Sequence, residues 1–227
     1  MLLALDTSTR NIGVALYDGQ RVLGETVWAS NGFHTVELAP VVAETLARAG
    51  LQVKDLGALA VATGPGSFTG LRIGMALAKG IALARRLPLI GVRTLDALAA
   101  AQPVLDAPMV ALLQIGRGRL AAGWFEAKAR AWKATGEMVI VTAEALAERI
   151  QNERIQKPTL ICGEMTFEER RTLSRLKKNV ILASPAQSFR RPSFLAELAW
   201  QRWQAGDLDD PVSLAPFYLQ LKDQIPV

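Results

Sequence analysis

The chain has 227 residues, half of them hydrophobic and a fifth charged. That is globular composition, with material for two domains of about 100 residues each. No apolar run approaches the ~20 residues of a membrane span, so no membrane partner is expected. A formal charge of +5 permits nucleic-acid contact without arguing for it. The first 100 residues carry 9 basic and 7 acidic side chains, and the remaining 127 carry 17 and 14.

One cysteine, Cys162, excludes an internal disulfide and fits a reducing compartment, which makes the cytoplasm the expected location. The sole histidine, His34, leaves no His-rich metal site to assemble, and neither HExxH nor CxxC spacing occurs. No catalytic residue and no metal ligand is nominated.

In chain order, LLALD (2–6) is a continuous apolar run and reads as a buried strand ending in a carboxylate. IGVALYDG and QRVLGETVW follow, with Asp18-Gly19 between them as a hairpin signal. A three-strand meander is therefore predicted, with Asp6, Thr7, Ser8 and Thr9 in its first turn. Residues 35–49 have helical periodicity, with Leu38, Val42, Leu46 and Ala49 on one stripe and Gly50 at the end. Pro40 is tolerable there only near the first turns or as a kink.

LGALAVATG (56–64) reads as a buried strand, 71–86 as a helix stopped by Pro88, and 89–92 as a short strand. Thr94 caps a helix through Ala101. Residues 102–108, with two prolines, mark the domain boundary. Beyond it MVALLQI, GRLAAGWFEA and EMVIVT read as strands. Helices at 142–151, 165–176 and 193–205 then alternate with TLICG and NVILA. The second half thus repeats the first in its order of elements. Arg170, Arg171, Arg175, Lys177 and Lys178 interleave with Leu173 and Leu176, which favours a solvated helix face over an RNA patch. The tail PVSLAPFYLQ is expected to be packed.

Residues 62–80, ATGPGSFTGLRIGMALAKG, hold five glycines and invite a phosphate-loop reading. They fit no standard template: the P-loop Gly-Lys is missing, Thr69 replaces the third glycine of GxGxxG, and Ser67 lacks the GxSxG frame. A tight strand-to-helix turn with Ser67 or Thr69 as helix cap is favoured. On a helical wheel Arg72, Met75, Ala76, Lys79, Leu83 and Arg86 share one side, and Ile73, Leu77, Ile81 and Ala84 form the predicted core side. Gly74, Ala78 and Ala82 along the edge permit close helix approach, as a docking surface requires.

LALDTSTRNIGVAL, FHTVELAP, VATGPGSFTGLRIGMALAKGIAL, IGVRTLDALA and LAPFYLQ together resemble the TsaB family, also called YeaZ. The likeness is strong over 1–100, weak over 104–205 and returns at 214–219. It implies an α/β, two-lobed actin-like ATPase (ribonuclease H-like) fold, each lobe a mixed sheet with helices. The implied N-terminal lobe is 1–103, completed by 190–227, and the C-terminal lobe is 104–189.

The resemblance further implies a non-catalytic scaffold subunit. It would dimerise with the transferase TsaD, alongside the ATPase TsaE, to support threonylcarbamoylation of the adenosine beside the tRNA anticodon. Contact with tRNA would be indirect, and a homodimer would form when the partner is absent. The implied interface comprises Leu38, Val42, Arg72, Gly74, Met75, Ala78, Lys79, Ala82 and Leu83. Gly74→Glu and Ala78→Glu are expected to abolish pairing while leaving the fold largely intact. No cofactor of the chain's own is expected; ATP and Mg²⁺ would be held at the complex interface through the partners.

The alternative is an active ATP-dependent kinase or ATPase of the same fold, with Asp6, Thr7, Ser8 and Thr9 as its nucleotide or phosphate turn. Against it stands Gln114-Ile115-Gly116, where such an enzyme needs a D-x-G carboxylate: a neutral amide neither balances Mg²⁺ nor acts as a base. The family often has an Asp-Ala-Arg type sequence at that turn. His34 is read as a loop hydrogen-bonder, and a peptidase reading fails on metal ligands and nucleophile geometry.

Overall fold

A computed structural model describes residues 1–32, 34–152 and 157–219. Phe33 of FHTVELAP, Gln220 of LAPFYLQ and the rest of 190–227 beyond it lie outside the described residues. In chain order the elements are β1 Leu2–Asp6, β2 Asn11–Tyr17, β3 Val22–Ala29, α1 His34–Arg48, β4 Ala58–Gly64, α2 Phe68–Arg85, β5 Leu89–Arg93 and α3 Thr94–Ala100. Next come β6 Met109–Gln114, β7 Leu120–Lys128, β8 Ala131–Ala134, β9 Val139–Val141 and α4 Ala143–Asn152. The described chain closes with β10 Thr159–Gly163, α5 Phe167–Ser174, β11 Val180–Leu182 and α6 Pro192–Gln204. Two compact units result: Met1–Ala97 with Arg190–Tyr218, and a second beginning at Leu98 and running through Phe189.

The first unit is built on one sheet in the order β3-β2-β1-β4-β5. β1 to β3 form the antiparallel meander, and β4 and β5 run parallel to β1. β1 is buried along its whole length, so its side chains alternate between two cores rather than between core and water. Leu3 and Leu5 pack with Leu38, Val42 and Leu46 of α1 and Met75, Ala78 and Ala82 of α2. Leu2 and Ala4 face Leu195, Ala196 and Ala199 of α6, over a floor of Ala58, Ala60 and Ala62. Each fully buried leucine contributes about 1.5–3 kcal/mol, so this doubled core anchors the turn at the end of β1.

The second unit has the order β11-β10-β6-β7-β8, with β9 paired to β7. β6, β7 and β8 are antiparallel, and β10 and β11 run parallel to β6. With β9 set aside and the second sheet read from its β8 edge, both orders run third, second, first, fourth, fifth. The repeated element order legible in the sequence is therefore a repeated sheet topology. Strand β8 was not among the predicted elements. Among the described residues no helix is long and apolar enough to cross a membrane.

Candidate functional site

The turn after β1 is closed by the chain's own side chains. Asp6 Oδ1 accepts the Ser8 N–H at 2.8 Å, and Oδ2 accepts Arg190 Nε at 2.8 Å. Arg190 Nη2 donates to Thr9 Oγ1 and to the Asn11 carbonyl, both at 2.9 Å. Thr7 Oγ1 donates to the Gly70 carbonyl at 2.7 Å, and Ser8 Oγ shares a 2.8 Å hydrogen bond with Thr94 Oγ1. His34 Nε2 meets the Thr9 carbonyl at 3.0 Å, the loop hydrogen-bonding role expected of it. Asp6, Thr7, Ser8 and Thr9 are all buried. Their polar atoms are bonded to neighbours inside the unit, and Asp6 caps its own turn through the Ser8 N–H. Arg190 was missed, because nothing local ties it to a residue 184 positions earlier.

The glycine loop answers to the same turn. Gly70 and Gly74, four residues apart, line one side of the start of α2, and Gly66 lies in the turn just before its N-cap Ser67. A Cβ at Gly66 would stand 2.4 Å from the Ser8 carbonyl oxygen, one at Gly70 2.3 Å from that of Thr7, and one at Gly74 2.2 Å from Thr7 Oγ1. Ser67 caps α2 by accepting the Gly70 N–H at 3.2 Å, while its own N–H donates to the Ser8 carbonyl at 2.6 Å. The glycines serve backbone-to-backbone approach. It follows that Gly74→Glu cannot leave the fold intact, which corrects that expectation; Ala78 is fully buried, so Ala78→Glu fails likewise.

Of the nominated docking residues, Leu38, Val42, Gly74, Met75, Ala78 and Ala82 are buried in the unit's own core. The predicted core side of α2 is wrong as well: Ile73, Leu77 and Ile81 are only half-buried and pack at the core's margin, and Ala84 is exposed. The wheel put Ile73, Leu77 and Ile81 inward, whereas the buried side combines Leu71 and Met75 with the small Gly70, Gly74, Ala78 and Ala82 that let the helix approach the sheet and first turn.

Arg72 and Lys79 are engaged by the C-terminal tail. Arg72 Nε donates to Tyr218 Oη at 3.2 Å and its guanidinium lies 3.7 Å from the Phe68 ring centre. Lys79 Nζ donates to the Val212 carbonyl at 3.2 Å. The tail is further held by Phe217 N–H to the Thr63 carbonyl at 2.7 Å and by Arg93 over the Phe217 ring. Of the nine nominated residues, Leu83, 59% exposed, and Arg72 lie on the exposed side. The solvent side of the helix pair is formed instead by Val36, Ala39 and Ala43 of α1 and Ala76, Gly80 and Leu83 of α2. The signal for these was present in the small residues at 39, 43 and 47 and at 76, 80 and 84.

In the second unit the turn after β6 carries Gln114, whose Nε2 donates to Glu169 Oε2 at 2.5 Å. That carboxylate also accepts the Thr166 N–H at 2.7 Å, while Thr166 Oγ1 accepts the Glu169 N–H, a reciprocal cap on α5. A carboxylate at position 114 would confront Glu169; the amide satisfies it. Burial pushes the Cys162 thiol up to about 12, so it is protonated and unreactive. Among the described residues no three His, Cys, Asp or Glu side chains gather as a metal site.

Known proteins resemble this chain in sequence and fold. The TsaB protein of Bacillus subtilis (strain 168), described as a tRNA threonylcarbamoyladenosine biosynthesis protein, is 30% identical over 224 residues, 98% of this chain and 95% of its own. The chain belongs to the TsaB (YeaZ) family. The Escherichia coli (strain K12) TsaB is 42% identical over 98 residues, which span 43% of this chain and 42% of that relative. A family model described as "TsaD: tRNA N6-adenosine threonylcarbamoyltransferase" matches residues 29–196. A Pseudomonas aeruginosa crystal structure described as similar to peptidase YeaZ aligns with a TM-score of 0.79 and 25% identity, over 96% of this chain and 99% of that one. With the sheet order repeated in both units, the architecture is the two-lobed actin-like ATPase fold.

Proposed function

We propose that this TsaB-family chain is a non-catalytic subunit of the machinery that installs threonylcarbamoyladenosine in tRNA, acting in the cytoplasm. It pairs with a TsaD-type transferase, works alongside a TsaE-type ATPase and meets tRNA through the assembly. In the absence of the transferase the same helix face pairs two copies. The observation that carries this reading is the outer face of α1 and α2. Val36, Ala39 and Ala43 on one helix and Ala76, Gly80 and Leu83 on the other leave a small-residue, apolar surface, with Val36 at 65% exposure and Leu83 at 59%. Small side chains let a partner helix approach closely, and nothing charged on this stripe has to be desolvated. Gln114 supports the non-catalytic part, since its amide is spent on Glu169 and supplies neither metal charge nor a base.

The test is light scattering on a size-exclusion column, with the chain alone and then mixed with its cognate transferase. A homodimer converted to a one-to-one heterodimer is expected. Ala76→Glu and Gly80→Glu, both at solvent-facing positions, are expected to abolish pairing while retaining the native circular dichroism spectrum. Undiminished pairing by both variants would move the interface elsewhere.

A further inference from the structure

The fold relatives of this chain raise the question of whether its first turn holds a magnesium-bound nucleotide. The residues present do not fit one. Three oxygens converge at the turn: Asp6 Oδ2, Thr9 Oγ1 and the Asn11 carbonyl. A carboxylate, a hydroxyl and a carbonyl are the donor types a hard divalent cation takes. All three receive the Arg190 guanidinium instead, at 2.8–2.9 Å. Asp6 is 3% exposed and Arg190 4%, so the pair is shut off from solvent. A metal ion entering there would lose the carboxylate to Arg190 and meet its positive charge at contact distance.

We propose that Arg190 is a built-in cation: it takes the place of a dissociable metal ion at this turn and holds it permanently closed. The chain therefore binds no magnesium nucleotide through Asp6, and its three-oxygen cradle is a folding device that ties the α6 end of the unit to β1 and β2. The geometry suits the substitution. Arg190 directly precedes Arg191, the residue at the α6 N-cap, and a planar guanidinium presents Nε and Nη2 to separate acceptors in one fork. Lysine, a single point donor, would not reproduce it. This inference stands apart from the partner reading, because it concerns the isolated chain and survives if no transferase binds.

The experiment compares thermal unfolding of the wild type, Arg190→Ala, Arg190→Lys and the double variant Asp6→Asn/Arg190→Ala. Additions are millimolar methylguanidinium, MgCl₂, or NaCl at matched ionic strength. The wild type is expected to be indifferent to all three and to show no Mn²⁺ uptake by electron paramagnetic resonance. Arg190→Ala is expected to melt lower and to recover with methylguanidinium or Mg²⁺ but not NaCl. The double variant, lacking the carboxylate, should respond to neither. Should Arg190→Ala accumulate unfolded, refolding yield with and without methylguanidinium gives the same reading.

Three results would overturn the proposal. One is Mg²⁺ or Mg-ATP binding by the wild type that Asp6→Asn removes. Another is an Arg190→Ala melt equal to wild type. The third is rescue that persists in the double variant.

Discussion

Replacing Gly70 by alanine isolates the contact between α2 and the first turn. The new Cβ would lie 2.3 Å from the Thr7 backbone carbonyl oxygen and 3.3 Å from Ser67 Cβ, so backbone rather than a flexible side-chain end has to move. Overpacking of this kind costs about 1–3 kcal/mol. Displacing the turn also weakens the 2.7 Å bond from Thr7 Oγ1 to the Gly70 carbonyl, worth about 1 kcal/mol. Helix propensity returns at most about 1 kcal/mol for glycine to alanine, which offsets the hydrogen bond and leaves the overpacking. Gly80, in the same helix, is the control: a Cβ there meets nothing within 4 Å, so Gly80→Ala should stabilise by up to about 1 kcal/mol. In a chain of this size each kcal/mol moves the melting midpoint by about 2–4 °C. Gly70→Ala should therefore melt roughly 2–12 °C below wild type and Gly80→Ala at or slightly above it, followed by differential scanning calorimetry. Equal midpoints for the two variants would refute the close-approach account of the glycine loop.

Glu25 of β3 makes a second prediction. Burial alone would raise its pKa, but hydrogen bonds from Ser193 and Arg191 outweigh that and hold the carboxyl below its usual range. A depressed folded-state pKa gives stability that is complete above the unfolded value of about 4.3 and lost as pH falls through the folded one. The gap between wild type and Glu25→Gln in urea unfolding should be about 1 kcal/mol at neutral pH, the scale of a carboxylate at a helix start, and shrink toward pH 3. A gap independent of pH would contradict the assigned partners. Cys162, with its thiol raised to about 12 by burial, should resist iodoacetamide at pH 8 in the native state and react only as fast as the chain unfolds. Rapid stoichiometric labelling of folded protein would show the site to be open.

Much of the local structure was legible in residue order. The unbroken LLALD run marked a strand buried on both faces, Asp18-Gly19 marked the hairpin, and Ser67 or Thr69 marked the α2 cap, a place the structure gives to Ser67. Each signal acts within a few residues, through periodicity or a side chain capping its own backbone. β8 escaped because its hairpin turns on Ala129 and Arg130, both at positive φ and neither a glycine or asparagine. The facing of α2 escaped because pattern reading places bulk inward. Here the buried side is Gly70, Leu71, Gly74, Met75, Ala78 and Ala82, with the small residues set where the helix comes nearest the sheet and the first turn.

The pairings that define the sites belong to tertiary structure alone. Asp6 with Arg190, Gln114 with Glu169 and the tail's Tyr218 with Arg72 join positions 184, 55 and 146 residues apart. A charge or amide carries no record in sequence of the distant partner that will satisfy it. Composition and periodicity determine which segments become strands and helices. The partners each polar group finds are decided only when burial removes water and leaves the neighbours that the fold has brought within reach.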